Sequence, residues 1–278
     1  MLSTTAVTTL SLDSIEAFRQ RCIAYGQSMN TAKAYSSDLR EFLKGTGLDS
    51  IPAQQYETLA LTWLNTTRSE CAPKTTSRRL TSLRAYAKWA NLPNALSDYK
   101  APSPARPIPH PIPERMPGIE RMLEKALNAE QRALVGLCGF AGLRISEARA
   151  AKVSWFDTRD MMIRVRGKGD KERYVPMSNR CWDAISSAYI EAAIVGPKTK
   201  LISYGDRSAR KAITSLGRKA GLSRPIASHD LRATLATHLS EQGVQQKVVQ
   251  EILGHASGAT TEIYIGVAVS SMRSAVEI

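Results

Sequence analysis

Apolar side chains recur every three or four positions along most of the first hundred residues. This spacing puts them on one face of a helix, and Gly26 and Pro73 interrupt the repeats where turns are expected. The repeats cover residues 15–25, 32–43, 56–63 and 80–89. The pattern predicts a helical bundle whose last helix runs from residue 73 to residue 90.

In the second half of the chain the helical spacing returns, with one alternating stretch. Apolar residues and arginines alternate between residues 161 and 166, and turn-forming residues at 167–171 precede a return arm at 172–177, so a β-hairpin is predicted. The helical segments are 129–152, with a break near 139–142, then 181–193, 208–220, 231–242 and 247–253. The predicted fold class is mainly α with a small β-hairpin or sheet in the second part (α+β).

Seven of the thirteen prolines lie in residues 101–118. Closely spaced prolines fix φ and remove hydrogen-bond donors, so neither a helix nor a central strand is expected there. The prediction is an extended connector between a domain at 1–100 and a domain at 119–278. A strap packed on the surface of a single domain is the alternative.

The chain carries 38 Lys and Arg against 25 Asp and Glu, a net charge of +13. Basic residues are in excess in both predicted domains, which indicates a polyanionic partner. Hydrophobic residues make up 43% of the chain, which excludes a disordered protein. No apolar run approaches the roughly 20 residues of a membrane span. The four cysteines have no metal-site or disulfide spacing, so we expect a soluble intracellular protein with buried free thiols and without a membrane partner.

One face of the predicted helix at 73–90 is basic and hydroxyl-bearing. Such a stripe suits phosphate contacts in DNA, although a merely solvated face is the common alternative. The residues are Lys74, Thr75, Arg78, Arg79 and Ser82.

Seven residues in four short segments of the second half could carry chemistry. They are Arg144 and Glu147 in GLRISE, Lys168 in GKG, His229 and Arg232 in HDLR, His255 after a glycine, and Tyr264. Each has an ordinary structural alternative: a surface ion pair for Arg144 and Glu147, a turn residue for Lys168, and a core aromatic for Tyr264.

Two other interpretations of these segments are disfavoured. A metal-dependent phosphohydrolase around His229 and Asp230 needs further ligands, and His110 lies in the proline-rich connector while His238 follows a core-like pattern. A DNA-reading helix-turn-helix at 240–256 would contain one lysine and no arginine. No metal or other cofactor is therefore expected.

The order and identity of these residues resemble the tyrosine recombinase (phage integrase) family. The matching segments are GLRISE at 142–147, GKGDKERYVP at 167–176, HDLRATLATHL at 229–239 and LGHASGATTEIY at 253–264. In the first half, residues 31–35 and 38–42 look like the helical core-binding domain of that family, which adds Lys33 to the expected DNA contacts.

The resemblance implies a role for each candidate. Tyr264 would attack a DNA phosphodiester, forming a 3′-phosphotyrosyl link and releasing a 5′-hydroxyl. Arg144 and Arg232 would bind the phosphate, with Glu147 supporting Arg144. The remaining roles are a hydrogen bond to a non-bridging oxygen from His255, proton acceptance or orientation by His229, and protonation of the leaving oxygen by Lys168.

The resemblance also implies a cytoplasmic, nucleoid-associated location in a bacterium or a phage-infected host, and it implies partners. These are double-stranded DNA with a short specific core site, and three further copies of the chain in a homotetramer on paired sites. With few residues ahead of the bundle, the short two-domain form without an arm-binding domain is expected, most simply an integrase. The apolar tail after Tyr264, up to Val276, would dock on a neighbouring copy or on its own domain. A type IB topoisomerase-like strand transferase and a non-catalytic DNA-binding protein are the alternatives.

Overall fold

The computed structural model describes residues 9–92, 96–102, 110–166, 172–254 and 276. The chain divides into two compact units, Met1–Pro107 and Ile108–Ile278. None of the helices in the described ranges combines the length and apolar character that crossing a membrane requires.

The first unit contains the four helices that the apolar repeats predict. They are α1 (Leu12–Ala24), α2 (Met29–Thr46), α3 (Ala53–Glu70) and α4 (Pro73–Trp89). Ser11 and Ser28 cap α1 and α2 by accepting hydrogen bonds from the backbone amides of Ser14 and Thr31, and Pro73 occupies the first turn of α4. Two short antiparallel strands, β1 (Thr9–Leu10) and β2 (Ile51–Pro52), were not predicted.

Aromatic side chains fill the core of the first unit. Tyr56 and Tyr86 are almost fully buried and stack on each other, and Phe42 packs edge-on against Tyr56. The hydroxyl group of Tyr56 donates to the carbonyl oxygen of Leu83 at 2.9 Å, so its polar end is satisfied inside the core. These contacts lock α4 against α2 and α3.

The second unit surrounds a central helix. The helices are α5 (Arg115–Glu124), α6 (Ala129–Gly139), α7 (Ile145–Ala150), α8 (Asn179–Val195), α9 (Asp206–Lys219), α10 (Ser228–Glu241) and α11 (Gln246–Leu253). Every residue of α6 from Ala133 to Gly139 is buried. At Gly136 a Cβ atom would lie 2.6 Å from the Cβ of Ala184, so glycine permits the close approach of α6 and α8.

A three-stranded antiparallel sheet lies beside this helical core. Its strands are β3 (Phe156–Asp157), β4 (Met162–Arg166) and β5 (Glu172–Pro176), in that order, with a 3₁₀ turn at Val153–Trp155 before β3. The two predicted hairpin arms are β4 and β5, and β3 is an addition to the prediction. The mainly α fold with a small sheet is confirmed.

The structure corrects the end of the predicted connector, because α5 begins at Arg115 and the last four of residues 101–118 are helical. Pro117 is the third residue of α5, where a backbone amide has no intrahelical acceptor, so the missing N–H costs nothing there. Upstream, the buried Ile112 donates its amide to Oγ1 of Thr234 at 2.8 Å. Packing thus overrides the local effect of the prolines.

Candidate active site

The loop before α7 is shaped by a glycine. Gly142 has φ +63°, and a Cβ there would lie 2.7 Å from the Leu253 side chain and 3.1 Å from that of Leu235. Both the backbone conformation and the close packing therefore require glycine. The turn brings Arg144 to the N-terminus of α7, where its side chain is 45% exposed.

Glu147 is a buried carboxylate that accepts four hydrogen bonds. The donors are the backbone amide and Nη1 of Arg144 and both terminal nitrogens of Arg173, each at 2.9 Å. Burial alone would raise the pKa of Glu147, but the hydrogen bonds and charge of Arg173, followed by those of Arg144, hold it at about 2. Glu147 is therefore ionised at neutral pH.

Arg232 lies on α10 and is 4% exposed. Nη1 donates to the carbonyl oxygen of Gly142 and Nη2 to that of Leu253, both at 2.5 Å. Burial and repulsion by Arg144 lower the pKa of Arg232 to about 10, so the guanidinium still carries its proton at neutral pH. Both acceptors are neutral carbonyls, so within the described ranges no carboxylate is hydrogen-bonded to this buried charge.

The turn at the end of α11 joins these groups. Gly254 has φ +63°, and its carbonyl oxygen accepts a hydrogen bond from Nη2 of Arg144 at 3.1 Å. The preceding carbonyl, that of Leu253, is the one that Arg232 binds. Two guanidinium groups therefore hold consecutive carbonyls directly before His255 in the sequence.

The cluster made of Arg144, Arg173, Arg232 and Glu147, called here the guanidinium cluster, has a formal charge of +2. Partly exposed guanidinium groups with planar donor forks are suited to the oxygens of a phosphate. A phosphate monoanion or diester entering next to Arg144 would meet the net positive charge of these four side chains.

Three of the predicted site residues, Arg144, Glu147 and Arg232, are brought together. His229 is exposed in the first turn of the same helix as Arg232, three residues earlier. Its neighbour Asp230 caps that helix, accepting hydrogen bonds from the amide of Ala227 and from Arg224, both at 2.8 Å. Lys168, His255 and Tyr264 lie outside the described residues. In the described ranges no three His, Cys, Asp or Glu side chains are grouped as a metal site.

Arg173 was missed by the sequence analysis. It lies opposite Val165 in the β4–β5 register, on the same face as the buried Val175, so it occupies an inward position of the hairpin. An arginine at a position that alternation assigns to the core was the available signal.

In the first unit, the expected DNA-contact residues differ in exposure. Lys33 and Lys74 are exposed, Thr75 is half-buried, and the Arg78 side chain is 44% exposed and ion-paired with Asp38 at 2.5 Å. These four residues are accessible to a ligand.

Ser82 and Arg79 do not fit the expected stripe. Ser82 is completely buried and donates to Oδ2 of Asp38 at 2.6 Å, so the predicted DNA contact by Ser82 is wrong for this structure. The reason is that a buried carboxylate needs donors. Arg79 is mostly buried: it pairs with Glu41 at 2.7 Å and lies 4.7 Å above the Trp63 ring.

The fold and the guanidinium cluster define a mainly helical protein with a positively charged cluster suited to a phosphate. Residues 115–270 match the model of the phage integrase family. The chain is 30% identical to the tyrosine recombinase XerC of Mycobacterium bovis (strain BCG / Pasteur 1173P2), over 90% of this chain and 92% of the relative. The chain belongs to the phage integrase family.

Solved structures show the same fold. XerH site-specific recombinase bound to palindromic difH substrate, in a post-cleavage complex, matches with a TM-score of 0.66 at 18% identity over 94% of this chain and 84% of the other. A lambda integrase tetramer bound to a Holliday junction matches with a TM-score of 0.62 at 16% identity, over 94% and 82%. With the family established, the chain is a tyrosine recombinase, an enzyme of site-specific DNA recombination.

Proposed function

We propose that this recombinase cuts and rejoins double-stranded DNA at a short specific core site, through a 3′-phosphotyrosyl intermediate formed by Tyr264. The observation that carries the proposal is the +2 charge of the guanidinium cluster, in which the buried Arg232 is hydrogen-bonded to carbonyls. A scissile phosphate would supply negative charge to balance this excess.

The chemistry requires activation of a weak nucleophile. A phenol of pKa ~10 is ionised in about one part in a thousand at neutral pH, a deficit of roughly 4 kcal/mol. Arg144 and Arg232 reduce that deficit by stabilising the phenolate and the charge that develops on the phosphorane together. His255 follows a carbonyl that Arg144 holds, so the chain enters this residue from an anchored turn, and its imidazole donates to a non-bridging oxygen.

The first step, DNA cleavage, is a transesterification. The bond from the Tyr264 oxygen to phosphorus forms as the bond to the 5′-oxygen breaks. His229 accepts or orients the phenolic proton, and Lys168 gives a proton to the leaving 5′-oxygen. In the second step a 5′-hydroxyl attacks and the phenol leaves, so the bond energy is kept and neither ATP nor a metal ion takes part.

The two units divide the work in this proposal. Residues 1–100 grip the core site, with Lys33, Lys74, Thr75 and Arg78 on phosphates, and residues 119–278 carry the chemistry. The lambda integrase neighbour is a tetramer on a Holliday junction, which supports four copies of this chain on two duplexes. The proposed outcome is integration, that is, the joining of two separate duplexes, and it takes place in the cytoplasm.

A nicked suicide substrate tests the chemistry. The wild-type chain should form a covalent protein–DNA adduct in the presence of EDTA, whereas Tyr264→Phe should bind the same DNA and form none. An adduct with Tyr264→Phe would displace Tyr264 as nucleophile, and loss of the wild-type adduct in EDTA would indicate a metal-dependent nuclease.

A second assay separates the alternatives. Two differently labelled duplexes incubated with the wild-type chain should exchange labels. Relaxation of supercoiled DNA by monomers, without label exchange, would indicate a topoisomerase-like enzyme.

A further inference from the structure

Arg173, a member of the guanidinium cluster, contacts both Glu147 and the turn at Gly254. It projects from β5 towards the interior, opposite Val165, and its side chain is 17% exposed. The same side chain touches Glu147 and lies against Gly254, so one residue of the sheet meets both the start of α7 and the end of α11.

The contact with Glu147 is a two-pronged one. Nη1 of Arg173 donates to Oε1 and Nη2 to Oε2, each at 2.9 Å. This parallel pair fixes the plane of the carboxylate as well as its position. The carboxylate in turn accepts from Nη1 and from the backbone amide of Arg144. The orientation of Arg144 is therefore set by a group whose orientation Arg173 sets.

The contact with Gly254 is one of close packing. A Cβ atom at residue 254 would lie 2.5 Å from Nε and 2.6 Å from Cδ of Arg173, so glycine alone fits against this side chain. Gly254 is also the residue whose carbonyl binds Arg144. Arg173 thus supports the acceptor of Arg144 from one side and the carboxylate partner of Arg144 from the other.

Stability alone does not require an arginine at this position. Nε of Arg173 is buried without an acceptor among the described residues, and buried ion pairs are often replaceable by apolar residues without loss of stability. A hydrophobic residue would suit the inward position beside Val165 and Val175. What an apolar residue cannot supply is a planar fork that orients Glu147.

We infer that Arg173 is a positioning residue for DNA cleavage: acting through Glu147 and Gly254, it holds the Arg144 guanidinium in the geometry that the scissile phosphate requires. This inference rests on the proposed function. It assigns Arg173 no direct contact with the reacting atoms.

The test compares Arg173→Gln, Arg173→Lys and wild type in three measurements: single-turnover adduct formation on the suicide substrate, DNA affinity by fluorescence anisotropy, and thermal unfolding. Arg173→Gln should slow adduct formation by about 10- to 100-fold, since small displacements of a catalytic group have effects of this size. DNA affinity should change by less than about threefold, because Arg173 itself is not expected to contact the DNA. The rate of adduct formation of Arg173→Lys should fall between those of wild type and Arg173→Gln, because an ammonium keeps the charge but cannot form the two-pronged contact with Glu147. Arg159→Gln, which removes an exposed charge from the turn before β4, should react like wild type.

A double-mutant cycle with Glu147→Gln shows the route of action. If Arg173 acts through Glu147, adding Arg173→Gln to Glu147→Gln should slow the reaction little further. Fully multiplicative effects would overturn the inference, as would a wild-type rate in either Arg173 variant, or a loss confined to affinity. If Arg173→Gln does not fold, the test rests on Arg173→Lys, whose rate of adduct formation is measured at a temperature where thermal unfolding shows it to be folded. An absence of adduct in the wild type refutes the proposed function, and the inference with it.

Discussion

Glu147 makes the free energy of unfolding depend on pH in the acid range, and the substitution Glu147→Gln should remove this dependence. Its pKa lies at about 2 instead of the ordinary 4.5, a difference of about 2.5 units. At 1.36 kcal/mol per unit, this corresponds to about 3 kcal/mol of folding free energy. Because the pKa is depressed in the folded state, the contribution is present above pH 4.5 and is lost as the pH falls towards 2. Glu147→Gln keeps the shape and removes the titration.

The assay is urea unfolding of wild type and Glu147→Gln at pH 7, 5 and 3.5. The difference in free energy of unfolding should be nearly constant from pH 7 to 5. At pH 3.5 it should be smaller by about 1.4 kcal/mol, as the linkage relation gives for these two pKa values. Glu120→Gln is the matched control, since Glu120 forms a surface ion pair with Arg180 at 3.4 Å and should matter by less than about 1 kcal/mol.

A pH-independent difference between wild type and Glu147→Gln would refute the reasoning, because it would show that Glu147 titrates alike in the folded and unfolded states. A companion result is expected with sulfate. Glu147→Gln leaves Arg144 and Arg173 without their carboxylate and raises the formal charge of the guanidinium cluster from +2 to +3. Sulfate should therefore stabilise this variant more than wild type at equal ionic strength.

Three further predictions concern other parts of the protein. Arg232→Lys should slow adduct formation by about 10²- to 10³-fold in single-turnover assays, because one ammonium cannot reach both carbonyls and the phosphate; a rate within about twofold of wild type would contradict this. Lys168→Ala should regain cleavage on a 5′-bridging phosphorothioate, whose leaving group needs no proton, and no regain would give Lys168 another role. Ser82→Ala should lower the free energy of unfolding by about 1–3 kcal/mol, since Asp38 loses a donor. Its DNA affinity, measured where it is folded, should stay at the wild-type value, and a loss would restore Ser82 as a DNA contact.

The helices of both units could be predicted from sequence because their apolar positions repeat at a regular spacing. The helix α5 was not predicted at all, since the prolines before it and within it mask a region that tertiary contacts hold, such as that of Ile112 with Thr234. The strand β3 spans two residues, too few to show alternation.

For the site, order and identity of residues singled out Arg144, Glu147 and Arg232, which the structure brings together. Arg173 escaped because no local pattern says which carboxylate a strand residue meets across 26 positions of sequence. Ser82 was misassigned for the converse reason. The polar pattern of α4 predicts an exposed face, but α2 places Asp38 against that face and buries Ser82.

The carbonyl partners of Arg232 have a practical consequence for handling the protein. A carbonyl dipole aligns a cation but leaves its charge intact, so among the described residues a phosphate arriving from solution has no carboxylate to displace from Arg232. The DNA-free enzyme should consequently bind the phosphates of nucleic acid fragments at the guanidinium cluster. Such fragments should stay bound through purification until a high salt concentration displaces them.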